Sequence, residues 1–257
     1  MITEPSFYLF AVPAVILLGL AKGGFAGLGV IAVPLMALAI SPVKAAAILL
    51  PILIVQDVVS VWSFRHSWSG AILKVMIPSA AMGIFLGFAL AAYVDTDAVE
   101  LAIGLISVLF GAQRLWLDLR GAGYGEEARP ERGLPWRGVL AGAAAGFTSQ
   151  VSHAGGPPFQ MYVLPKRLPR DSFIGTSSIF FAAVNWMKVP AYLALGQFKP
   201  DTLATAGALL PLAVLSTWAG VYLVRRVPGE GFYRVIYVLL ILVGAKLVWD
   251  GAAGLAT

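Results

Sequence analysis

Residues 149–158 read Ser-Gln-Val-Ser-His-Ala-Gly-Gly-Pro-Pro and interrupt an apolar stretch that covers residues 136–168. Paired prolines lack two backbone donors and disfavour helix just upstream, so a new helix is expected to begin near Pro157. A second apolar stretch, residues 7–40, is interrupted by Lys-Gly-Gly-Phe-Ala-Gly-Leu-Gly at 22–29. As one helix it would be about 50 Å long, too long for a single crossing of a bilayer core of roughly 30 Å. Both stretches are therefore predicted to be broken, as re-entrant hairpins or as helices unwound in mid-membrane.

The composition is that of a membrane protein. Of 257 residues, 59% are hydrophobic and only 12% are charged, and the mean hydropathy is +0.85. Soluble domains carry about a quarter charged residues, so this chain cannot cover a water-facing surface in the usual way. The net charge of +5 comes from few ionisable groups. A disordered chain, a collagen-like chain and a nucleic-acid-binding module are excluded, and an integral membrane protein is predicted.

Several kinds of chemistry are excluded by missing residues. The chain has no cysteine and only two histidines, His66 and His153. Disulfides, iron–sulfur clusters, cysteine nucleophiles and multi-histidine metal sites are therefore not expected, and no cofactor is predicted. No Gly-x-x-x-x-Gly-Lys-Ser/Thr loop is present, so ATP is not implied. The first six residues lack the Lys or Arg of a signal peptide, so the apolar start is interpreted as part of the mature fold.

Beyond the broken stretches, the chain contains apolar segments of spanning length, which is about 20 residues. Six are predicted: 43–64, 72–94, 99–119, 172–195, 202–224 and 232–252.

The distribution of positive charge favours hairpins, because Lys and Arg concentrate in cytoplasmic loops. If both broken stretches return to the side they entered from, and the six segments cross, one side receives 13 of the 18 basic residues: Arg65, Lys74, Arg114, Arg120, Arg129, Arg132, Arg137, Lys166, Arg167, Arg170, Arg225, Arg226 and Arg234. If the broken stretches crossed completely, most of this bias would vanish. Both termini are therefore predicted to be periplasmic.

The two halves of the chain resemble each other. Residues 111–116 match residues 244–249, and each half begins with a broken stretch. Each copy consists of one hairpin, which returns to the side it entered from, and three crossings. Because the number of crossings is odd, the second copy starts on the opposite side of the membrane and is predicted to be inverted. An all-α membrane protein is expected, with its parts at 1–120 (first repeat), 121–135 (cytoplasmic linker) and 136–257 (second repeat). Inverted repeats with interrupted helices are typical of secondary transporters, because non-helical backbone at depth must line a cavity or lie buried in protein.

Two motifs resemble those of a known family. Gly-Leu-Ala-Lys-Gly-Gly-Phe-Ala-Gly-Leu-Gly-Val-Ile-Ala-Val-Pro at 19–34 and His-Ala-Gly-Gly-Pro-Pro-Phe at 153–159 look like the paired signatures of the sulfite exporter TauE/SafE family. The resemblance extends over essentially the whole chain. It implies a bacterial inner-membrane permease for sulfur oxyanions or organosulfonates, in most members an exporter. It does not identify the individual substrate.

The predicted anion site lies in the two interruptions, where helix N-termini and free amides attract negative charge. The candidate substrate-binding residues are Lys22, Gly23, Gly24, Gly27, Gly29, Ser149, Gln150, Ser152, His153, Gly155, Gly156 and Pro157. Structural roles are open for each kind of residue: a lysine that caps a helix, a histidine that bonds an unwound carbonyl, polar side chains that join helices, and glycines that serve helix packing.

Placing an ionisable group inside a membrane span costs free energy, so each such group is a candidate for a functional or structural role. Asp57 is a candidate proton carrier, and its counterpart in the second half, 128 residues later, is Asn185. Lys188 is a candidate anion contact. The alternatives are a static ion pair for Asp57 and snorkelling toward the interface for Lys188.

These observations predict a secondary transporter that exports a small sulfur-containing anion by alternating access, with possible proton or sodium coupling. A passive anion channel that uses the same broken helices is the main alternative. An intramembrane enzyme is disfavoured, because neighbouring Ser152 and His153 cannot easily reach each other and no Gly-x-Ser-x-Gly elbow is present. The bilayer and the small anion are the expected partners, and the oligomeric state is left open.

Overall fold

The structure is a computed structural model that describes residues 2, 4–25, 28–90, 93, 95–120, 135–227 and 229–256. In these ranges the chain is helical and contains no β-strand, which confirms the predicted all-α class. Gly27 and residues 121–134 of the predicted linker lie outside the described residues, as does the side chain of Ser152.

Ten α-helices follow one another in the described chain. They are α1 (Pro5–Gly23), α2 (Ala32–Ala37), α3 (Pro42–Ser63), α4 (Gly70–Ala89), α5 (Thr96–Leu119), α6 (Pro135–Ser152), α7 (Gly156–Val163), α8 (Arg170–Ala194), α9 (Pro200–Val224) and α10 (Gly229–Leu255). Short 3-10 turns at Leu28–Ile31 and Leu164–Lys166 precede α2 and follow α7. Most predicted spans agree within three residues; α4 stops five residues early, where the Leu90 N–H bonds the Leu86 carbonyl.

Six of the described helices are long and apolar enough to cross a membrane: α1, α3, α4, α5, α9 and α10. The chain is therefore a multi-pass membrane protein. This set differs from the predicted one at two helices. Helix α1 has 19 residues and qualifies by its length and composition, although it was expected to be a short arm. Helix α8 is 25 residues long but is not in the set, because polar residues such as Ser178, Asn185 and Lys188 lie along it.

Helix α1 ends at Gly23 and helix α6 ends at Ser152, so each predicted interruption contains the end of a helix. At the first, Gly24 has a φ of 140°, which side chains other than glycine rarely adopt, and its N–H donates to the Ala21 carbonyl. At the second, His153 has a left-handed φ of 57°. The Thr148 hydroxyl donates to the Ala154 carbonyl at 3.1 Å and so satisfies part of the freed backbone.

The main helix pairings are the same in both halves of the chain. Helix α1 packs against α9 and α2, and α6 packs against α4 and α7. Helix α3 contacts α8 and α9, and α8 contacts α3 and α4, while α5 packs along α10. Each of α1 to α5 corresponds to the helix five places later in the chain. The contact of α1 with α9, for example, corresponds to the contact of α6 with α4.

Close helix contacts depend on glycines, as is common in membrane proteins. A Cβ atom added to Gly146 in α6 would overlap the Ala80 carbonyl oxygen of α4 and lie 2.7 Å from the Ala80 Cα. The equivalent crossing of α1 and α9 brings Gly23 and Gly220 together, where an added Cβ on Gly23 would lie 2.5 Å from the Gly220 carbonyl carbon. The first arms of both broken stretches are therefore held against their neighbours by backbone contact.

We expect Gly146→Ala to lower the free energy of unfolding by about 1–3 kcal/mol, because the added methyl group overpacks the α4–α6 contact. Gly207 in α9 is a matched control, since an added Cβ there meets nothing within 4 Å. Gly207→Ala should be neutral or slightly stabilising, because alanine favours helix. Thermal unfolding of both variants in one detergent makes the comparison. Equal melting temperatures would contradict the close contact.

Candidate functional site

A cavity of about 120 Å³ lies where the two helix breaks meet α8. The first break contributes Lys22, Gly24 and Gly29 to its wall, and the second contributes Ser149, His153 and Gly156. Helix α3 and the inner face of α8 complete the enclosure. Residues that are more than 120 positions apart in the sequence therefore line one site.

An ion pair closes one side of this cavity. The Lys22 Nζ lies 2.5 Å from the Asp57 Oδ1, and the Asn185 side-chain amide donates to the Asp57 Oδ2 at 2.7 Å. Asp57 is only 1% exposed. The carboxylate thus holds one group from the first break and one from α8. The Lys22 ammonium balances the negative charge of Asp57, and the neutral Asn185 amide adds a hydrogen bond.

A pair of serines supports the same corner. The Ser60 hydroxyl of α3 donates to the Lys22 carbonyl at 2.6 Å, which satisfies a carbonyl freed at the end of α1. The Ser60 Oγ also lies 2.5 Å from the Ser178 Oγ of α8. Ser178 lines the cavity. The end of α1 is therefore fixed to α3 and α8.

Lys188 is the second cation of the cavity. It lies on α8 one turn after Asn185, lines the cavity and is 1% exposed. Within the described residues, no group accepts a hydrogen bond from it, and Asp57, whose negative charge acts on Lys188, makes its close ion pair with Lys22 instead. With both lysines protonated and Asp57 ionised, the group of Lys22, Asp57 and Lys188 has a net charge of +1. A buried ammonium that shares a single carboxylate with a second lysine is costly, and an anion in the cavity would offset that cost.

His153 and Ser149 line the cavity from the second break. The left-handed φ of 57° at His153 is uncommon for a residue with a side chain and turns the chain between α6 and α7. The His153 Nε2 lies 3.5 Å from the Tyr192 hydroxyl of α8. Both His153 and Ser149 can donate hydrogen bonds to an oxyanion.

Much of the remaining wall is apolar. It includes Leu18, Leu49 and Leu53 on one side and Phe173 and Phe181 on the other. The Lys22 Nζ lies 5.5 Å from the centroid of the Phe181 ring, within range of a cation–π contact. Apolar walls keep the local dielectric low and strengthen the attraction between the lysines and an anion.

Some predicted site residues are absent from the cavity wall. They are Gly23, Gln150, Gly155 and Pro157. Gly23 packs on Gly220, Gln150 on Gly87 and Gly155 on the Ala145 carbonyl, so these three residues lie at helix contacts. The first turn of α7 contains Pro157 and Pro158, which have no N–H. The polar groups of the cavity are therefore mainly side chains rather than the free amides of a helix N-terminus.

Other lining residues were not anticipated. Gln160 of α7 is 1% exposed and lines the cavity together with Ser177 and Ser178. Gln160 follows Gly156 by four residues, the spacing of one helix face. On α8 the lining positions 178, 181, 185 and 188 also follow one another at intervals of three or four residues. This helical periodicity is the feature of the sequence from which the lining face of α8 could have been predicted.

We expect Gly24→Ala to lower the free energy of unfolding by at least about 2 kcal/mol, because a side chain is strained at a φ of 140°. The new methyl group would also lie 2.8 Å from the Val224 Cγ2. Gly196→Ala is a matched control with a positive φ of 62° and nothing within 4 Å of the added Cβ. It should cost about 1 kcal/mol. Thermal unfolding compares the two, and equal losses would contradict a crowded break.

Comparison with known proteins identifies the chain at the family level. No curated protein and no solved structure gives a significant match. The family model for the sulfite exporter TauE/SafE matches residues 11–247, which includes both helix breaks and every residue of the cavity. The chain therefore belongs to the sulfite exporter TauE/SafE family, a family of membrane transporters for sulfur-containing anions.

Proposed function

We propose that this protein is a secondary transporter that exports a small sulfur-containing anion, such as sulfite or a short sulfonate, across the bacterial inner membrane. The observation that carries the proposal is Lys188, a buried cation that faces the cavity and forms no close ion pair with a described residue, since the nearby carboxylate of Asp57 is paired with Lys22. The anion supplies the close negative charge that Lys188 lacks. A volume of about 120 Å³ suits a small anion, well below the 300–1,000 Å³ of sites for drug-sized ligands.

In this proposal the anion is held by side chains from both halves of the chain. Lys188 supplies the charge, and Ser149, His153 and Gln160 supply hydrogen bonds from the second break. Gly24, Gly29 and Gly156 allow the backbone to approach the anion closely. Gly23, Gln150 and Gly155 pack the helices at these breaks, and Ser152, Gly27 and Pro157 remain predicted members of the site.

We propose that transport proceeds by alternating access between two inverted repeats, 1–120 and 136–257, joined by the cytoplasmic linker 121–135. The equal pairing of helices in both halves supports this arrangement. Each repeat begins with a broken stretch, residues 7–40 or 136–168, that turns back inside the membrane. Rocking of one repeat against the other would open the shared cavity to either side in turn. Both termini would then be periplasmic.

Asp57 and Lys22 are proposed to couple transport to an ion gradient. Protonation of Asp57, or binding of sodium beside it, would weaken its hold on Lys22 and Asn185, which contact it directly at 2.5 and 2.7 Å. Lys22 would then be free to join Lys188 in holding the anion. The affinity for the anion and the protonation state of Asp57 would thereby depend on each other.

Reconstituted protein in liposomes tests the proposal. We expect flux of sulfite or a short alkylsulfonate that saturates with concentration and responds to an imposed pH or sodium gradient, with little flux of chloride. Flux that rises linearly without saturation and ignores both gradients would instead indicate a passive channel. Absence of any anion-dependent flux or thermal stabilisation would contradict the proposed site.

A further inference from the structure

A second concave site lies outside the helix bundle, away from the central cavity. It is a groove of about 370 Å³ between α5, α6 and α7. Ile103 and Ile106 line it from α5, Leu140 and Ala144 from α6, and Met161 from α7. Ile106 is 49% exposed and Leu140 is 59% exposed, so the groove opens to the surroundings of the bundle. In a membrane protein, that apolar surface faces lipid chains.

Positive charge is placed at one end of this groove. Arg137 lies at the start of α6 and lines the groove beside Tyr162. The Lys166 Nζ lies 4.3 Å from the centroid of the Tyr162 ring. Neither Arg137 nor Lys166 forms an ion pair with any described residue. From Arg137 the groove follows α6 through Leu140 to Ala144, about 10 Å at 1.5 Å per residue.

We propose that this groove binds one anionic phospholipid, with its phosphate at Arg137 and Lys166 and an acyl chain along Leu140 and Ala144. Charge complementarity selects an anionic headgroup, since basic pockets between membrane helices bind such headgroups. Tyr162 and the neighbouring Trp136 provide aromatic rings of the kind found at the membrane interface. The groove ends at Pro158, two residues from Gly156 of the central cavity, so the lipid packs on the outer side of α7.

Native mass spectrometry of the detergent-purified protein tests the binding. Phosphatidylglycerol and phosphatidylcholine with identical chains are compared, together with free glycerol phosphate. We expect phosphatidylglycerol to be retained preferentially, and glycerol phosphate not to displace it. Arg137→Gln and Lys166→Gln should each reduce that preference about fivefold, the equivalent of about 1 kcal/mol per cation. Ala144→Trp should reduce retention of the lipid by filling the groove.

Two variants serve as controls. Arg65 also stacks on a tryptophan, 4.3 Å from the centroid of the Trp62 ring, but it does not line the groove. Ala208 is an exposed alanine of α9, so Ala208→Trp adds the same bulk elsewhere. Arg65→Gln and Ala208→Trp should leave the lipid preference unchanged. Equal retention of the two lipids, equal losses in the controls, or occupation of the groove by a second copy of the chain would overturn the proposal.

Discussion

Lys188→Met is expected to abolish saturable anion transport while it stabilises the fold. In the proposed site this lysine supplies the charge that the anion neutralises, and removing one partner of a buried charge pair costs about 2–5 kcal/mol. Affinity should therefore fall about 30-fold or more. Methionine keeps an unbranched side chain of nearly the same length but removes a buried charge whose insertion costs about 2.5–3.5 kcal/mol. Liposome flux and thermal unfolding of the same preparation measure both effects.

The opposite direction of the two effects separates a functional lysine from a structural one. A lysine needed only for folding would lower both flux and melting temperature when replaced. Lys199→Met is the matched control, because Lys199 is exposed at the start of α9. It should change neither quantity. If Lys188→Met transports with wild-type affinity, the anion does not bind at α8 and the proposed site is wrong.

The positions of the helices were predictable because the thickness of the bilayer fixes the length of a spanning helix and because glycine and proline mark the breaks between helices. The paired prolines at 157 and 158 and the glycines at 22–29 located both interruptions. The end of α4 was not predictable, because residues 90–94 are as apolar as the helix before them. Hydropathy measures transfer from water and contains no information about where a turn forms.

The cavity was only partly predictable, since residue type shows which groups are costly in a membrane but not which groups meet. Asp57 and Lys22 were both identified as unusual, yet their contact joins α1 to α3 and depends on tertiary packing. Gln160 was missed because a glutamine near a helix end is ordinary in sequence. Its position in the cavity follows from the turn at His153, whose left-handed backbone no pattern of hydrophobicity encodes.

Asp57→Ala is expected to lower the free energy of unfolding by about 3–5 kcal/mol, the usual cost of removing one partner from a buried ion pair. The carboxylate is 1% exposed and compensates Lys22 at 2.5 Å, while it also accepts from Asn185. Without it, the charge of the Lys22, Asp57 and Lys188 group rises from +1 to +2. A variant that also carries Lys22→Met returns the group to +1 and should recover part of the loss.

The exposed pair of Lys44 and Asp201, 3.2 Å apart, provides the control. Asp201→Ala should cost far less than Asp57→Ala, because solvent screens that pair. Added sulfite should stabilise Asp57→Ala more than the wild-type protein, because the anion then compensates two buried lysines and ligand binding stabilises the folded state by mass action. Thermal unfolding with and without sulfite measures all four proteins. If Asp57→Ala loses no more stability than Asp201→Ala, or if sulfite stabilises it less than the wild type, Asp57 does not compete with the anion for Lys22, and the proposed coupling fails.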